Sequence, residues 1–185
     1  MATFLSVDAS TNSFAFAFFD TELRQYGKIN FYGDKIEERC GDATRKIAAL
    51  MKVENPQYVI IEATIFTNTP QTAIELSLAQ GAIIGAAIMA GVRSVHRVAP
   101  ITWQSGIGNP LLKKAEKDMI RAENPGRKPT WYKNKEREFR KKRTVAIVNK
   151  RFGCTIDDYD VADAVGIGLY SLNNWMKVRN ASTKS

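Results

Sequence analysis

Histidine occurs once, at His96, and cysteine only twice, at Cys40 and Cys154, in a chain of 185 residues. The two thiols stand far apart with no CxxC spacing, so neither a disulfide framework nor a zinc site is indicated, and a reduced, cytoplasmic setting fits. Long apolar runs are scarce too. The longest uninterrupted one, Gly81 to Val92, is too short to span a bilayer. The opening stretch MATFLSVDAS has no basic leader and is interrupted by Asp8, which argues against a signal peptide. Repeats, low-complexity tracts and Pro/Gly-rich linkers are absent. With 44% hydrophobic residues, the chain has enough apolar content for one sizeable core and too little length for two, so a single non-membrane domain over 1–185 is expected.

Charge is what the chain has in excess, and it is concentrated. Between Lys113 and Arg143 stand thirteen Lys or Arg against five Asp or Glu, a surplus of eight that equals the net charge of the whole chain. Pro125, Gly126 and Pro129 interrupt this segment, and it shows no regular apolar face for a membrane surface. A basic arm at about 109–143 that contacts nucleic acid is the better reading. Lys113, Lys114, Arg127, Lys128, Lys133, Arg140, Lys141 and Arg143 are its candidate backbone contacts. Trp131, Tyr132 and Phe139 lie among them, either as stacking platforms or as anchors of the arm on its own domain.

The remaining pattern predicts an α/β fold. TFLSVDASTNSFAFAFFD reads as a strand ending at Asp8, a polar turn and a second strand from Ser13 to Phe19, with a third strand near Lys28 to Tyr32. Asp34 and Glu37 suggest a capping box, and apolar residues from Ile36 to Leu50 at spacings of three and four predict a helix to about Lys52. YVIIE reads as a buried strand ending in Glu62. A helix from about Gln71 to Ala90, a strand at Ser94 to Val98, and helices at Thr144–Phe152 and Asp160–Met176 complete the order. Three antiparallel strands followed by two parallel ones make a mixed five-stranded sheet flanked by helices. Parallel neighbours end at one edge, which brings Asp8 and Glu62 together.

The carboxylates differ in how easily they are explained away. Alone, Asp8 reads as a turn cap, whereas Glu62 after Val59, Ile60 and Ile61 asks for a partner. In DDYDVADAVGIGLY, Asp157 and Asp158 suit a helix N-terminus, while Asp160 and Asp163 share a face on which Ala162, Ala164 and Val165 imply packing. Four carboxylates in one place repel each other and raise one another's pKa unless cations occupy the cluster. Hard oxygen donors without His or Cys suit Mg²⁺ or Mn²⁺. Two such ions about 4 Å apart can hold the attacking water and the leaving oxygen of a phosphodiester.

Asp8 ending the first strand, Glu62 ending the fourth and Asp160-Val-Ala-Asp163 opening the last helix resemble the RuvC branch of the RNase H-like nucleases, the Holliday junction resolvases. LSLAQGAIIGAAIMAG at Leu76–Gly91 is similar to that family's dimer-interface helix, and Gly106–Gly108 to its GIG. The resemblance implies an RNase H-like fold and a homodimer on four-way DNA junctions. It also implies paired Mg²⁺-dependent nicks that leave 5′-phosphate ends. Carried over by position, Asp8, Glu62, Asp160 and Asp163 become metal ligands for two ions, and Lys142 matches the family's lysine after the GIG. A second family lysine is replaced by Ile101, and the junction-probing aromatic matches Phe66, one position late. The long arm differs from compact bacterial members and is closer to phage- or virus-type relatives.

Two other classes compete. Actin-like ATPases and sugar kinases also open on an Asp before a Ser/Thr-rich turn, but they need a second such domain. A non-catalytic, architectural branched-DNA-binding protein would keep the fold without the chemistry. Gly81 and Gly85 indicate close helix packing at a dimer seam or against the sheet, and His96 reads as a satisfied strand residue.

Overall fold

The computed structural model describes residues 3–64 and 69–182, with side chains as far as Asn174. Three consecutive strands, β1 (Phe4–Ala9), β2 (Ser13–Phe19) and β3 (Leu23–Asn30), pair antiparallel. Helix α1 (Ile36–Glu54) leads to β4 (Tyr58–Glu62), and α2 (Pro70–Met89) leads to β5 (Ser94–Val98). Both strands run parallel to β1, giving the order β3-β2-β1-β4-β5. This is the mixed five-stranded sheet expected. Strand β3 begins at Leu23 rather than Lys28 because, as a mostly exposed edge strand, it carries little apolar alternation. The cap of α1 is also shifted by one: Glu38, not Glu37, accepts the backbone N–H of Asp34 at 2.9 Å.

Side-chain parity divides the sheet into two cores. Leu5, Val7, Phe14, Phe16, Phe18, Val59 and Ile61 face α1 and α2. Phe4, Ala15, Ala17, Phe19 and Ile60 face the last helices of the chain. Because residues two apart on a strand share a face, Asp8 lies on the second face with Phe4, and Glu62 lies there with Ile60. By length and composition α2 would suffice to cross a membrane, more than the Gly81–Val92 run suggested. Here it covers the first core, burying Ala79, Ile83, Ala86 and Ala87.

The second face is covered by α3 (Pro100–Gly106), α5 (Pro129–Phe152) and α6 (Tyr159–Ser182). The basic segment is helical: α4 (Lys114–Glu123) pairs with the first half of α5. Lys117 of α4 bonds Glu136 of α5 at 3.3 Å, and Arg143 bonds Glu116. The helix read from Thr144 to Phe152 therefore starts fifteen residues earlier, at Pro129. Pro129 sits in its first turn, where a missing N–H costs nothing.

Helix α6 sits very close to the sheet. A Cβ on Gly168 would come within 2.0 Å of the Phe19 ring, and the helix is as close to α3, where one on Gly166 would come within 2.7 Å of the Trp103 ring. The buried Ser6 hydroxyl, 2.7 Å from the Ala164 carbonyl oxygen, ties β1 to the same helix. Gly168→Val is expected to destabilise the fold by about 1–3 kcal/mol through overpacking. Gly41→Val in α1, where a Cβ meets only the end of Arg45 at 3.8 Å, provides the reference for helix propensity. Equal urea midpoints for the two variants would contradict the close seating.

Candidate active site

Between the ends of β1 and β4, the start of α6 and the middle of α5 lies a cleft of about 520 Å³. Asp8, Glu62, Asp160 and Asp163 line it, together with Arg137, Arg140 and Lys141. The four carboxylates singled out in the sequence thus meet in one place. Asp8 arrives on β1 and Glu62 on β4, two hydrogen-bonded parallel neighbours. Asp160 and Asp163 project from the first turns of α6. That helix is capped by Asp158, whose Oδ1 accepts the backbone N–H groups of Asp160 at 2.8 Å and Val161 at 3.1 Å.

Cations hold part of this charge. Lys141 Nζ lies 3.2 Å from Asp160 Oδ1 and 3.8 Å from Asp163 Oδ2. Lys28 Nζ lies 2.7 Å from Asp160 Oδ2 and 3.1 Å from Asp158 Oδ2. Strand register explains the reach of Lys28: it pairs with Ala15, which pairs with Asp8, so all three stand in one row on one face.

Burial dominates the remaining electrostatics. It pushes the Asp8 carboxyl well above its ordinary range, and Glu62, Asp163 and Asp160 push it further. Burial likewise raises Asp163 to about 7, with Lys141 opposing and Glu62 and Asp160 adding. Glu62 is raised by burial against the pull of the Trp103 N–H and of Lys141. Asp160 is the exception: burial would raise it, but Lys28 and Lys141 outweigh that and hold it below the ordinary carboxylate range.

Two supports escaped the sequence reading. Trp103 Nε1, on a fully buried ring, donates to Glu62 Oε2 at 2.6 Å. Gln80 Nε2 on α2 donates to the Glu62 carbonyl oxygen at 2.9 Å, while its Oε1 accepts from Thr64 at 2.8 Å. A lone Gln in an otherwise small apolar run was the one available signal for Gln80.

One residue assigned from the sequence is displaced. Lys142 is exposed and bonds Glu138 Oε1 at 2.7 Å, so it does not face the carboxylates. Lys141 does. Consecutive residues on a helix point about 100° apart, so a shift of one position exchanges the cleft face for solvent. Of the arm residues assigned to DNA, Lys113, Lys114, Arg127, Lys128 and Lys133 are exposed, and Arg127 stacks over Trp131 at 5.5 Å. Arg143 is committed to Glu116, and Arg140 and Lys141 line the cleft itself. Tyr132 is an anchor: its hydroxyl donates to the Asn124 carbonyl oxygen at 2.5 Å and closes the α4–α5 connection. Ile101 is exposed outside the cleft, and Gln104 of the same helix lines it. Phe66 lies outside the described residues.

The donor set fits a hard divalent cation chemically, since it offers only carboxylate oxygens, two of them on groups that mutual repulsion and burial raise. Among the described residues, no three acidic or imidazole side chains are gathered tightly enough to enclose an ion. Asp160 has an ammonium group on each oxygen, so in a ligating role it would share its remaining lone pairs with an ion beside Lys28 and Lys141.

No family model matches the chain, and no curated protein matches it by sequence. Solved structures do. Thermus thermophilus RuvC matches with a TM-score of 0.68 at 16% identity over 95% of this chain and 96% of its own, both alone and in complex with its Holliday junction substrate. The yeast mitochondrial Holliday junction resolvase Ydc2 matches with a TM-score of 0.55 at 11% identity, over 99% of this chain and 84% of its own. The chain has the RuvC-type, RNase H-like fold.

Two measurements test the site without a substrate. The raised Asp163 pKa contributes stability below about pH 4 that is lost as pH rises through 7, because the folded state then carries an unfavourable buried charge. Metal-free protein is therefore expected to melt lower at pH 8 than at pH 5, and Asp163→Asn to flatten that fall by on the order of 1–4 kcal/mol. A second expectation concerns Trp103→Phe, which removes the donor to Glu62 and should raise the Glu62 titration midpoint followed by carboxyl ¹³C NMR. An unchanged midpoint would show that the indole bond has no electrostatic role.

Proposed function

We propose that this protein is a structure-selective endodeoxyribonuclease that resolves Holliday junctions and related branched DNA as a homodimer, by metal-dependent phosphodiester hydrolysis leaving 5′-phosphate ends. One observation carries the reading: four carboxylates from the ends of β1 and β4 and the start of α6 share a cleft with Arg137, Arg140 and Lys141, on a RuvC-type fold.

Asp8, Glu62, Asp160 and Asp163 would hold the Mg²⁺ ions, with Mn²⁺ able to substitute, and the ions would lower the pKa of the attacking water and stabilise the leaving oxygen. The protein's own groups prepare the ground for this. Trp103 and Gln80 fix Glu62 from its carboxyl and backbone sides. Lys141 offsets the charge shared by Asp160 and Asp163, and Lys28 orients Asp160. The exposed basic face of the α4–α5 hairpin supplies sequence-independent attraction to DNA phosphates. Dimerisation is supported by the outer face of α2, where Ile74, Leu78, Ile88 and Met89 are exposed and nothing lies within 4 Å of a Cβ built at Gly81 or Gly85.

The ammonium-held Asp160 favours one other reading, a protein that binds branched DNA without cutting it. A single experiment separates the two. Labelled four-way junctions incubated with wild type and Mg²⁺ or Mn²⁺ are expected to give symmetric paired nicks that a ligase reseals. Asp160→Asn should retain junction binding and lose cutting by roughly a hundredfold or more. Binding with no nicks on any branched substrate in either metal would leave the architectural reading.

A further inference from the structure

We propose that Arg137 and Arg140, on the cleft face of α5, form a subsite for a backbone phosphate of the bound nucleic acid beside the four carboxylates. The proposal rests on the nucleic-acid reading above; it adds Arg137 to the contacts expected from the sequence and places it with Arg140 beside the carboxylates. Arg137, Arg140, Lys141 and Thr144 follow one another at helical spacings of three, one and three, and all four line the cleft.

Position sets these two arginines apart from the other unpaired cations of the hairpin, Lys113, Lys114, Arg127, Lys128 and Lys133, which do not line the cleft. Around them five cations of the hairpin are neutralised internally: Lys117 bonds Glu136, Lys135 and Lys142 both bond Glu138, Arg121 bonds Asp118, and Arg143 bonds Glu116. Lys141 is committed to Asp160 and Asp163. Arg137 and Arg140 line the cleft without an ion pair to any described residue.

Arg140 is nevertheless held in place, by neutral groups. Its Nη2 donates to Gln104 Oε1. Its backbone carbonyl accepts from Asn109 Nδ2 at 2.9 Å, and the same amide donates to Thr144 Oγ1 at 3.0 Å. Asn109 is completely buried, so this clamp fixes α5 at the position of Arg140. Among the described residues, the buried side-chain polar atoms without a partner are Arg140 Nε and Asn109 Oδ1, both within this cluster. A guanidinium fixed only by amides keeps its full charge for a ligand, and its planar fork suits the two non-bridging oxygens of a phosphodiester.

Charge balance points the same way. The cleft sets four carboxylates against three cations, so one or two divalent ions would leave it net positive. An anionic phosphate then completes the site.

Fluorescence anisotropy with a labelled oligothymidylate, in Ca²⁺ buffer, tests the subsite separately from cutting. A methylphosphonate oligomer of equal length, whose backbone is neutral, serves as the comparison. Arg137→Gln and Arg140→Gln are each expected to weaken the phosphodiester oligomer about tenfold, as for one charged hydrogen bond. They should not change binding of the neutral one, and Mn²⁺ titrated into the protein alone should bind them no more weakly than wild type. Arg137 is exposed, so its variant carries the test even if Arg140→Gln fails to fold. Equal losses on both oligomers, no loss on either, a wild type without preference for the phosphodiester, or a parallel drop in Mn²⁺ affinity would each overturn the subsite. A wild type that binds with this pattern yet never nicks a junction would remove the nuclease reading and leave the subsite standing.

Discussion

The seating of α6 on the sheet is the contact on which the rest of the molecule depends. Ser6 and Asp8 are two residues apart on β1 and therefore face the same way, while Ala164 follows Asp163 directly. The hydrogen bond from Ser6 to Ala164 thus fixes the separation between the two halves of the carboxylate cluster. It can form because Ala164 and Gly168, four apart on one helix face, present almost no side chain to the sheet and leave room for Phe19, while Gly166 on another face leaves room for Trp103 of α3. Trp103 in turn reaches Glu62. Packing and chemistry therefore share the same few atoms, and a methyl group added to that helix face would be felt in both.

A cluster of buried carboxylates is an electrostatic cost to the metal-free fold, and the protein meets it unevenly. Asp160, the most exposed of the four, is held by two lysines from opposite sides, one on β3 and one on α5. Asp8 has no ion pair among the described residues, and burial and three like neighbours together push its carboxyl well up. Folding is consequently coupled to the charge of this cluster: whatever neutralises Asp8 and Asp163 also removes the strain that burial imposes. The arm extends this logic to the surface, where most acids of the α4–α5 hairpin are spent on their own lysines and arginines and the unpaired cations stand at the cleft or in solvent.

Strands, their order and the four carboxylates were legible because each left a local mark. A buried strand ending in Glu62 and an apolar helix containing Asp163 break the usual rules of burial, and such breaks are what function leaves in a sequence. Helices α3 and α4 and the first half of α5 left weaker marks. Proline and glycine punctuate them, and their charged residues obscure any apolar period, so the basic segment read as an arm when it is a helical hairpin. That Lys141 rather than Lys142 faces the cleft is not legible in KKRTVAIV, because without the start of α5 in view nothing says which lysine of the pair faces inward. Lys28 and Gln80 belong to elements distant in sequence. Only the strand register and the packing of α2 bring them to the site.

Helix α5 runs without a break from Pro129 beside the α4–α5 turn, past Lys141 in the cleft, to Val148 in the core. At 1.5 Å per residue its 24 residues make a rod of about 36 Å. The basic segment is accordingly no appendage that could be trimmed at Arg143 to leave a smaller intact domain, since that cut would take one wall of the cleft and the Asn109 clamp with it. Nor is there a joint at which the tip could swing independently of the interior. A load applied at Trp131 is carried along one helix axis to Lys141 in the cleft, so the tip of the hairpin and the wall of the site share a single lever.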